Sequence, residues 1–341
     1  MKIIVKSFVK LLIPKKFRLK INRFVFGNRK IIESSGLKYI NKSEIDRKID
    51  NARSMFSIFE GKRIPELVVS LTSYPERMSD LKYTLHSLLN QSMKPDKIVL
   101  WLTYEEFPDK ENAISNDILK FKNNGLTIKF CHNLKSYNKL IPALREYPED
   151  IIVTFDDDIY YEEGRLERLY MAYQKNPLYI HCHRASKVTF YEDDKIKPWS
   201  LWKRGALCNG NETKPSLLNS AAGFCGILYP PHSLHQDVFN EELIGKLCPN
   251  NDDIWFWAMA VLQGTKINLV KENMKDVVYV NPERELGLIG RTLAATNVGK
   301  NKNDEQLEAI LEHYKIDSKW LEENKFHEIK GVLSKNEGIA K

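Results

Sequence analysis

From residue 67 onward, short apolar runs alternate with stretches in which apolar side chains recur every three to four positions. Leu67-Val68-Val69-Ser70-Leu71-Thr72 reads as a buried strand. After the turn Ser73-Tyr74-Pro75-Glu76-Arg77, the stripe Leu81, Leu85, Leu88 and Leu89 predicts a helix. Lys97–Leu102 is the next strand, followed by a helix around Asn116–Asn123, a strand over Leu126–Cys131 and a helix around Asn138–Glu146. Ile151-Ile152-Val153-Thr154-Phe155 forms a further strand, and Leu166, Leu169, Tyr170 and Tyr173 mark the helix after it. Repeated strand–helix units with short connections predict an α/β fold, a mainly parallel sheet wrapped by helices.

Beyond residue 175 the pattern loosens. A strand is expected at Leu178–His183, then a polar loop at Tyr191–Lys197 leading to Trp199 and Trp202, and a small-residue segment Ala221-Ala222-Gly223-Phe224-Cys225-Gly226. Asn250 or Asn251 is placed to cap a helix whose first turn holds Asp252 and Asp253 and which runs on through Trp255 and Trp257 to Leu262. Leu307, Ile310, Leu311 and Tyr314 predict one amphipathic helix in an otherwise polar C-terminal tail.

The strand at 151–155 delivers three consecutive carboxylates, Asp156, Asp157 and Asp158, to its own end. Asp seldom stays buried without a partner, and like charges this close raise one another's proton affinity unless a cation neutralises them. Mg²⁺ or Mn²⁺ suits such oxygen ligands, taking one or two carboxylates and completing its shell with water and substrate phosphate. In open α/β sheets ligands bind beyond the carboxyl ends of the strands, where this triplet falls. The bland reading is a polar turn.

Charge is unevenly distributed. The chain of 341 residues has a formal charge of +7, yet residues 1–30 hold ten Lys or Arg and no acid, leaving 42 basic and 45 acidic residues in the rest. A nucleic-acid reader needs a basic face on its folded domain, so nucleic acid is not an expected partner. The arm sets Ile4, Phe8, Leu11 and Leu12 against Lys2, Lys6 and Lys10, and after Pro14 repeats the design with Phe17, Ile21 and Phe24 against Lys16, Lys20 and Arg23. It lacks a small-residue cleavage site and the ~20 apolar residues of a spanning helix. It is expected to lie in the plane of an anionic membrane surface; docking on the protein's own core is the alternative. The five cysteines show no C-x-x-C pair and read as reduced core residues. His181 and His183 share a strand face at metal-ligand spacing, but no companion ligand is near in sequence, and a structural role is preferred.

Five segments then carry a resemblance: Val69–Arg77; Tyr137-Asn138-Lys139-Leu140-Ile141-Pro142; Asp156-Asp157-Asp158 as a D-x-D motif; Gly223–Pro231; and Asn251-Asp252-Asp253-Ile254-Trp255. In this order they resemble the GT-A fold glycosyltransferases, in particular bacterial family-2-like enzymes of surface polysaccharide assembly. The domain would span residues 66–290, with the arm at 1–30, a linker at 31–65 and a peripheral helical tail at 291–341.

The resemblance implies a Rossmann-like GT-A sheet, a nucleotide-diphosphate-sugar donor, and Mn²⁺ or Mg²⁺ as cofactor. It further implies single-displacement transfer with inversion to a saccharide or lipid-linked oligosaccharide acceptor, for capsule or lipopolysaccharide. With the arm, it implies peripheral attachment to the cytoplasmic face of the cell membrane. By the same likeness, Thr72, Tyr74, Arg77, Asp156 and Asp157 face the donor, Asp156 and Asp158 the metal, and Asp252 or Asp253 is the base. Lys139 is a candidate point charge for a phosphate, Gly223 and Gly226 allow close approach of donor or acceptor, and Trp255 is a candidate acceptor platform. Two family features are not assignable: an acidic nucleobase contact among Thr103–Glu106 and a late His on the metal. Two other readings stand beside this one: a catalytically silent membrane scaffold, and a sugar nucleotidyltransferase, for which a Gly-rich, basic first loop is missing.

Overall fold

A computed structural model describes residues 28, 31–51, 57–61, 63–204, 214–270, 277–289 and 302–321. The basic arm therefore lies almost wholly outside the described residues, as does Cys208. Seven strands form the central sheet: β1 (Leu67–Thr72), β2 (Lys97–Thr103), β3 (Leu126–Cys131), β4 (Ile151–Thr154), β5 (Ile180–Cys182), β6 (Ile227–Tyr229) and β7 (Ile267–Leu269). Their order is β7-β5-β6-β4-β1-β2-β3, parallel throughout except β6, which runs antiparallel to both neighbours. This is the α/β, mainly parallel GT-A-like sheet expected.

Both faces of the sheet are covered, which is why its strands are nearly continuous in apolar residues. Leu67, Val69 and Leu71 of β1 enter one core with Leu81, Leu85 and Leu88 of α1 (Met78–Leu89). Val68 enters the other with Ile141 of α2 (Ile141–Glu146) and the apolar body of α3 (Asp252–Gln263). The helix after β4, Arg165–Lys175, buries Leu166 and Leu169 as its periodicity predicts.

Departures are local. The segment expected as one helix around Asn116–Asn123 is an α-turn over Asn116–Leu119 continued by 3₁₀ turns to Asn124. Strand β6 has only three residues and escapes pattern reading. The C-terminal helix α4 (Lys302–Tyr314) buries Leu307 and Ile310 in the core shared with α3. Among the described residues no helix is long and apolar enough to cross a membrane. The four described cysteines are free thiols, three of them buried.

Candidate active site

Strand β4 ends at Thr154, so the triplet Asp156–Asp158 emerges at the carboxyl edge of the sheet beside the carboxyl end of β1. Two cations meet it, a half-buried arginine and a buried lysine. Arg77 closes the turn that opens α1, and its Nη1 pairs with Asp157 and, at 2.8 Å, with Asp158. Its Nε donates to the Tyr74 hydroxyl at 3.1 Å. Lys139, 6% exposed, pairs with Asp156 at 2.9 Å and with Asp252 at 2.9 Å. Burial opposes the charge on Lys139, but Asp156, Asp252 and Asp253 outweigh it and keep the ammonium protonated.

The local fold explains how Lys139 comes to be buried. Ser70, the polar residue of β1, donates through Oγ to the Lys139 carbonyl at 2.6 Å and accepts from Trp101 Nε1 at 3.0 Å. The 3₁₀ turn Lys135–Lys139 is thereby pinned under the sheet edge, with its side chain aimed at the carboxylates.

Asp252 and Asp253 begin α3, whose cap is Asn251, accepting from Ile254 N at 3.0 Å. The helix N-terminus favours ionised carboxylates there. Helix α4 braces this turn from behind: Gln306 Oε1 accepts from Asn250 N at 2.8 Å, and Asn303 Oδ1 from Asn251 Nδ2 at 2.9 Å. Asp253 accepts the Gly223 N–H at 3.1 Å. Its carboxyl is pushed up to about 7 by burial and by Asp252, with Lys139 opposing. The Asp158 carboxyl is likewise pushed up to about 7 by burial and by Asp157, Asp156 and Glu285, against Arg77.

Most of the sequence-selected side chains thus converge: Arg77, Lys139, Asp156, Asp157, Asp158, Asp252, Asp253 and Gly223 form one ionic centre. Tyr74 stacks against Arg77, 5.3 Å from its guanidinium carbon. Thr72 stands at the end of β1 with its hydroxyl spent on the Trp101 carbonyl at 2.9 Å. Two residues fall elsewhere. Trp255 is fully buried, its ring 6.4 Å from that of Tyr314, so it presents no face to a saccharide. Gly226 has φ +98°, and a Cβ there would sit 2.5 Å from the Phe155 ring, so packing behind the triplet accounts for the glycine.

His181 and His183 each use Nε2 on a backbone carbonyl at 2.9 Å, of Asn176 and Arg165. Burial lowers both, His181 to about 4, in line with the structural role.

Sequence reasoning missed three contributors. Ser73 donates to Asp157 Oδ2 at 2.6 Å. Thr84 of α1 places its hydroxyl 2.9 Å from the Asp157 and Ile159 carbonyls. Tyr161 accepts from Asp156 N at 3.0 Å and reaches the Phe224 carbonyl at 3.0 Å. Ser73 lies within the segment Val69–Arg77 without an assigned role, and Tyr161 follows the Asp triplet closely in the chain. A small pocket beside the triplet is lined by Arg77, Asp158, Tyr279, Asn281 and Glu285, the last three from a late segment without sequence periodicity.

Residues 69–227, just under half of the chain, match the family model described as Glycosyl transferase family 2. This is a glycosyltransferase domain. The match runs from β1 through the Asp triplet and Gly223 to the start of β6, and stops before Asp252 and Asp253. No curated protein matches the glycosyltransferase. Solved structures similar to it include a CMP:2-keto-3-deoxy-manno-octonic acid synthetase complexed with CTP, at 11% identity and TM-score 0.35, covering 65% of this chain and 97% of that one. A mannosyltransferase from Pyrobaculum calidifontis in complex with GDP-Man and Mn²⁺ is similar at 12% identity and TM-score 0.40, covering 77% and 78%. Neither supplies a residue role.

Gly223 tests the tightness of the site. A Cβ at this position would lie 2.7 Å from Lys139 Nζ and 2.8 Å from Asp253 Oδ1. Gly223→Ala is expected to lower kcat of the glycosyltransferase by about 10²-fold through displacement of these two groups. Its melting temperature should also fall, because the Lys139 ammonium that the Cβ would displace holds buried ion pairs with Asp156 and Asp252.

Proposed function

We propose that the glycosyltransferase moves a sugar from a nucleoside-diphosphate donor to a saccharide hydroxyl, with Asp253 as general base. The observation that carries this reading is the convergence on Lys139 of Asp156, from the end of β4, and Asp252, from the start of α3. A donor-side carboxylate and an acceptor-side acidic pair thereby share one centre. The acceptor oxygen attacks the anomeric carbon, its proton passes to Asp253, and the bond to the diphosphate breaks with release of nucleoside diphosphate. A carboxyl poised near 7 suits proton uptake at neutral pH. Asp252, held against Lys139, keeps the ammonium in place. A single displacement of this kind inverts the anomeric centre.

The residues fit a hard divalent cation. Five carboxylates share two cationic side chains, and burial together with the neighbouring carboxylates raises the proton affinity of Asp158 despite Arg77. Asp156 and Asp158 would hold Mn²⁺ or Mg²⁺. Among the described residues no group of three or more His, Cys, Asp or Glu is arranged to hold a metal ion; Mn²⁺ and Mg²⁺ commonly take one or two protein carboxylates and complete their shell with water and substrate phosphate. The bound cation would stabilise negative charge on the leaving diphosphate. The basic amphipathic arm supports a lipid-linked acceptor at an anionic membrane surface, as in capsule or lipopolysaccharide assembly on the cytoplasmic face.

The test is a panel of UDP-, GDP-, TDP- and CMP-sugars with Mn²⁺, reading melting shift and nucleotide release for the wild type and Asp158→Ala. A shift with one donor, abolished in the variant, is expected, since a ligand that binds only the native state stabilises it by mass action. Full Mn²⁺-dependent nucleotide binding by Asp158→Ala would remove that residue from the site. No response to any donor would sink the transferase reading.

A further inference from the structure

Arg184 follows β5 at the rim of the carboxylate centre. Its backbone is fixed: the carbonyl accepts Ala222 N at 2.9 Å, and the next residue, Ala185, pairs with Ala221. Its guanidinium lies over the Phe224 ring, 5.2 Å from the centroid. The Phe224 carbonyl is in turn tied to Tyr161, which also holds Asp156 N. The Phe224 backbone thus adjoins the centre, and Arg184 rests on the ring of the same residue.

The charge of Arg184 also reaches the opposite wall. The Tyr279 phenol is pushed up by burial and by Glu285 and Asp158, with Arg184 opposing, which places all four groups in one electrostatic neighbourhood. Tyr279, Glu285 and Asp158 line the same small pocket.

Arg184 nonetheless has no carboxylate within ion-pair distance among the described residues. The other partly or fully buried arginines around the centre are paired: Arg77 with Asp157 and Asp158, Arg165 with Glu162, and Arg284 with Asp80. A half-buried guanidinium has lost part of its hydration, and stacking on an aromatic face fixes its plane. Its planar fork of donors matches the oxygens of a phosphate.

We infer that Arg184 binds a phosphate of the donor's diphosphate, holding it against the pocket of Asp158 and Tyr279 and discriminating diphosphate from monophosphate. This assignment rests on the reading of the domain as a nucleoside-diphosphate-sugar transferase. The donor, and not a phosphate on the acceptor, is the assigned source, because Arg184 stacks on Phe224, whose carbonyl is held by the same Tyr161 hydroxyl that binds Asp156 N at the head of the triplet. The competing account is a guanidinium that only packs on Phe224.

The test uses the full-length chain with Mn²⁺ and UDP, GDP, CDP or TDP, each beside its nucleoside monophosphate, by titration calorimetry. Wild type, Arg184→Met, Arg184→Lys and Asp158→Ala are compared, with melting curves to establish folding. For the diphosphate that binds wild type, Arg184→Met should weaken binding by about 10-fold or more. Arg184→Lys should restore part of the loss, and the monophosphate should be affected less. Binding by Arg184→Met within twofold of wild type, with binding lost in Asp158→Ala, overturns the role of Arg184 and leaves the transferase reading standing. Equal losses for mono- and diphosphate without rescue by Lys assign it to packing, and also overturn it. If wild type binds no nucleoside diphosphate, both readings fall.

Discussion

Lys139→Met is expected to abolish transfer and to destabilise the fold together. The ammonium is buried and bridges Asp156 and Asp252, and among the described residues the Asp252 Oδ2 that faces it has no hydrogen-bonding partner apart from this ionic contact. Removing one member of a buried charge pair costs about 3–5 kcal/mol, chiefly because the other is left uncompensated. Methionine fills the volume, so the loss reports charge. A chemical-denaturation curve gives the size. The double variant Lys139→Met/Asp252→Asn should recover part of the stability, because it removes one stranded carboxylate, and should recover no activity. If Lys139→Met were as stable as wild type, the ion pairs would be contributing nothing to the fold.

Asp253→Asn is expected to reduce kcat by about 10²–10⁴-fold, the usual range for loss of a positioned general base, and to flatten the dependence of stability on pH. The native Asp253 carboxyl holds its proton up to about 7, while an ordinary Asp releases it near 4. Between these values the native state binds more protons than the unfolded chain, so stability falls as pH rises through the window. Asp158 contributes a second term of the same sign. The asparagine keeps an acceptor for the Gly223 N–H and removes one of the two terms. Thermal melts of the metal-free protein at pH 5 and pH 8 should therefore show a smaller difference in the variant than in the wild type. A variant with unchanged kcat would move the base to Asp252.

Much of this architecture is legible without coordinates. The apolar run of β1, the leucine stripe of α1 and the apolar run of β4 each report burial of an element from its own residues. The triplet at the end of β4 and the acidic pair in the first turn of α3 are local facts too, since strand ends and helix caps are written in adjacent residues. Trp255 shows where such reading stops. Its place in the first turn of α3 beside two candidate catalytic residues suggested a ligand platform, whereas the packing of α4 across α3 seals it in the core.

The sequence by itself determined the strand–helix succession, the carboxylate cluster at a strand end and the start of α3 after Asn250 or Asn251, because each depends on the periodicity or chemistry of neighbouring residues. Tertiary structure alone decided that β6 inserts antiparallel between β4 and β5, that Lys139 joins Asp156 to Asp252, and that Gly223 meets Asp253. It also decided that Arg184 lies unpaired on Phe224 among the described residues. These relations join segments far apart in the chain, and their geometry is set by the order of strands in the sheet, which the periodicity of any one element does not record.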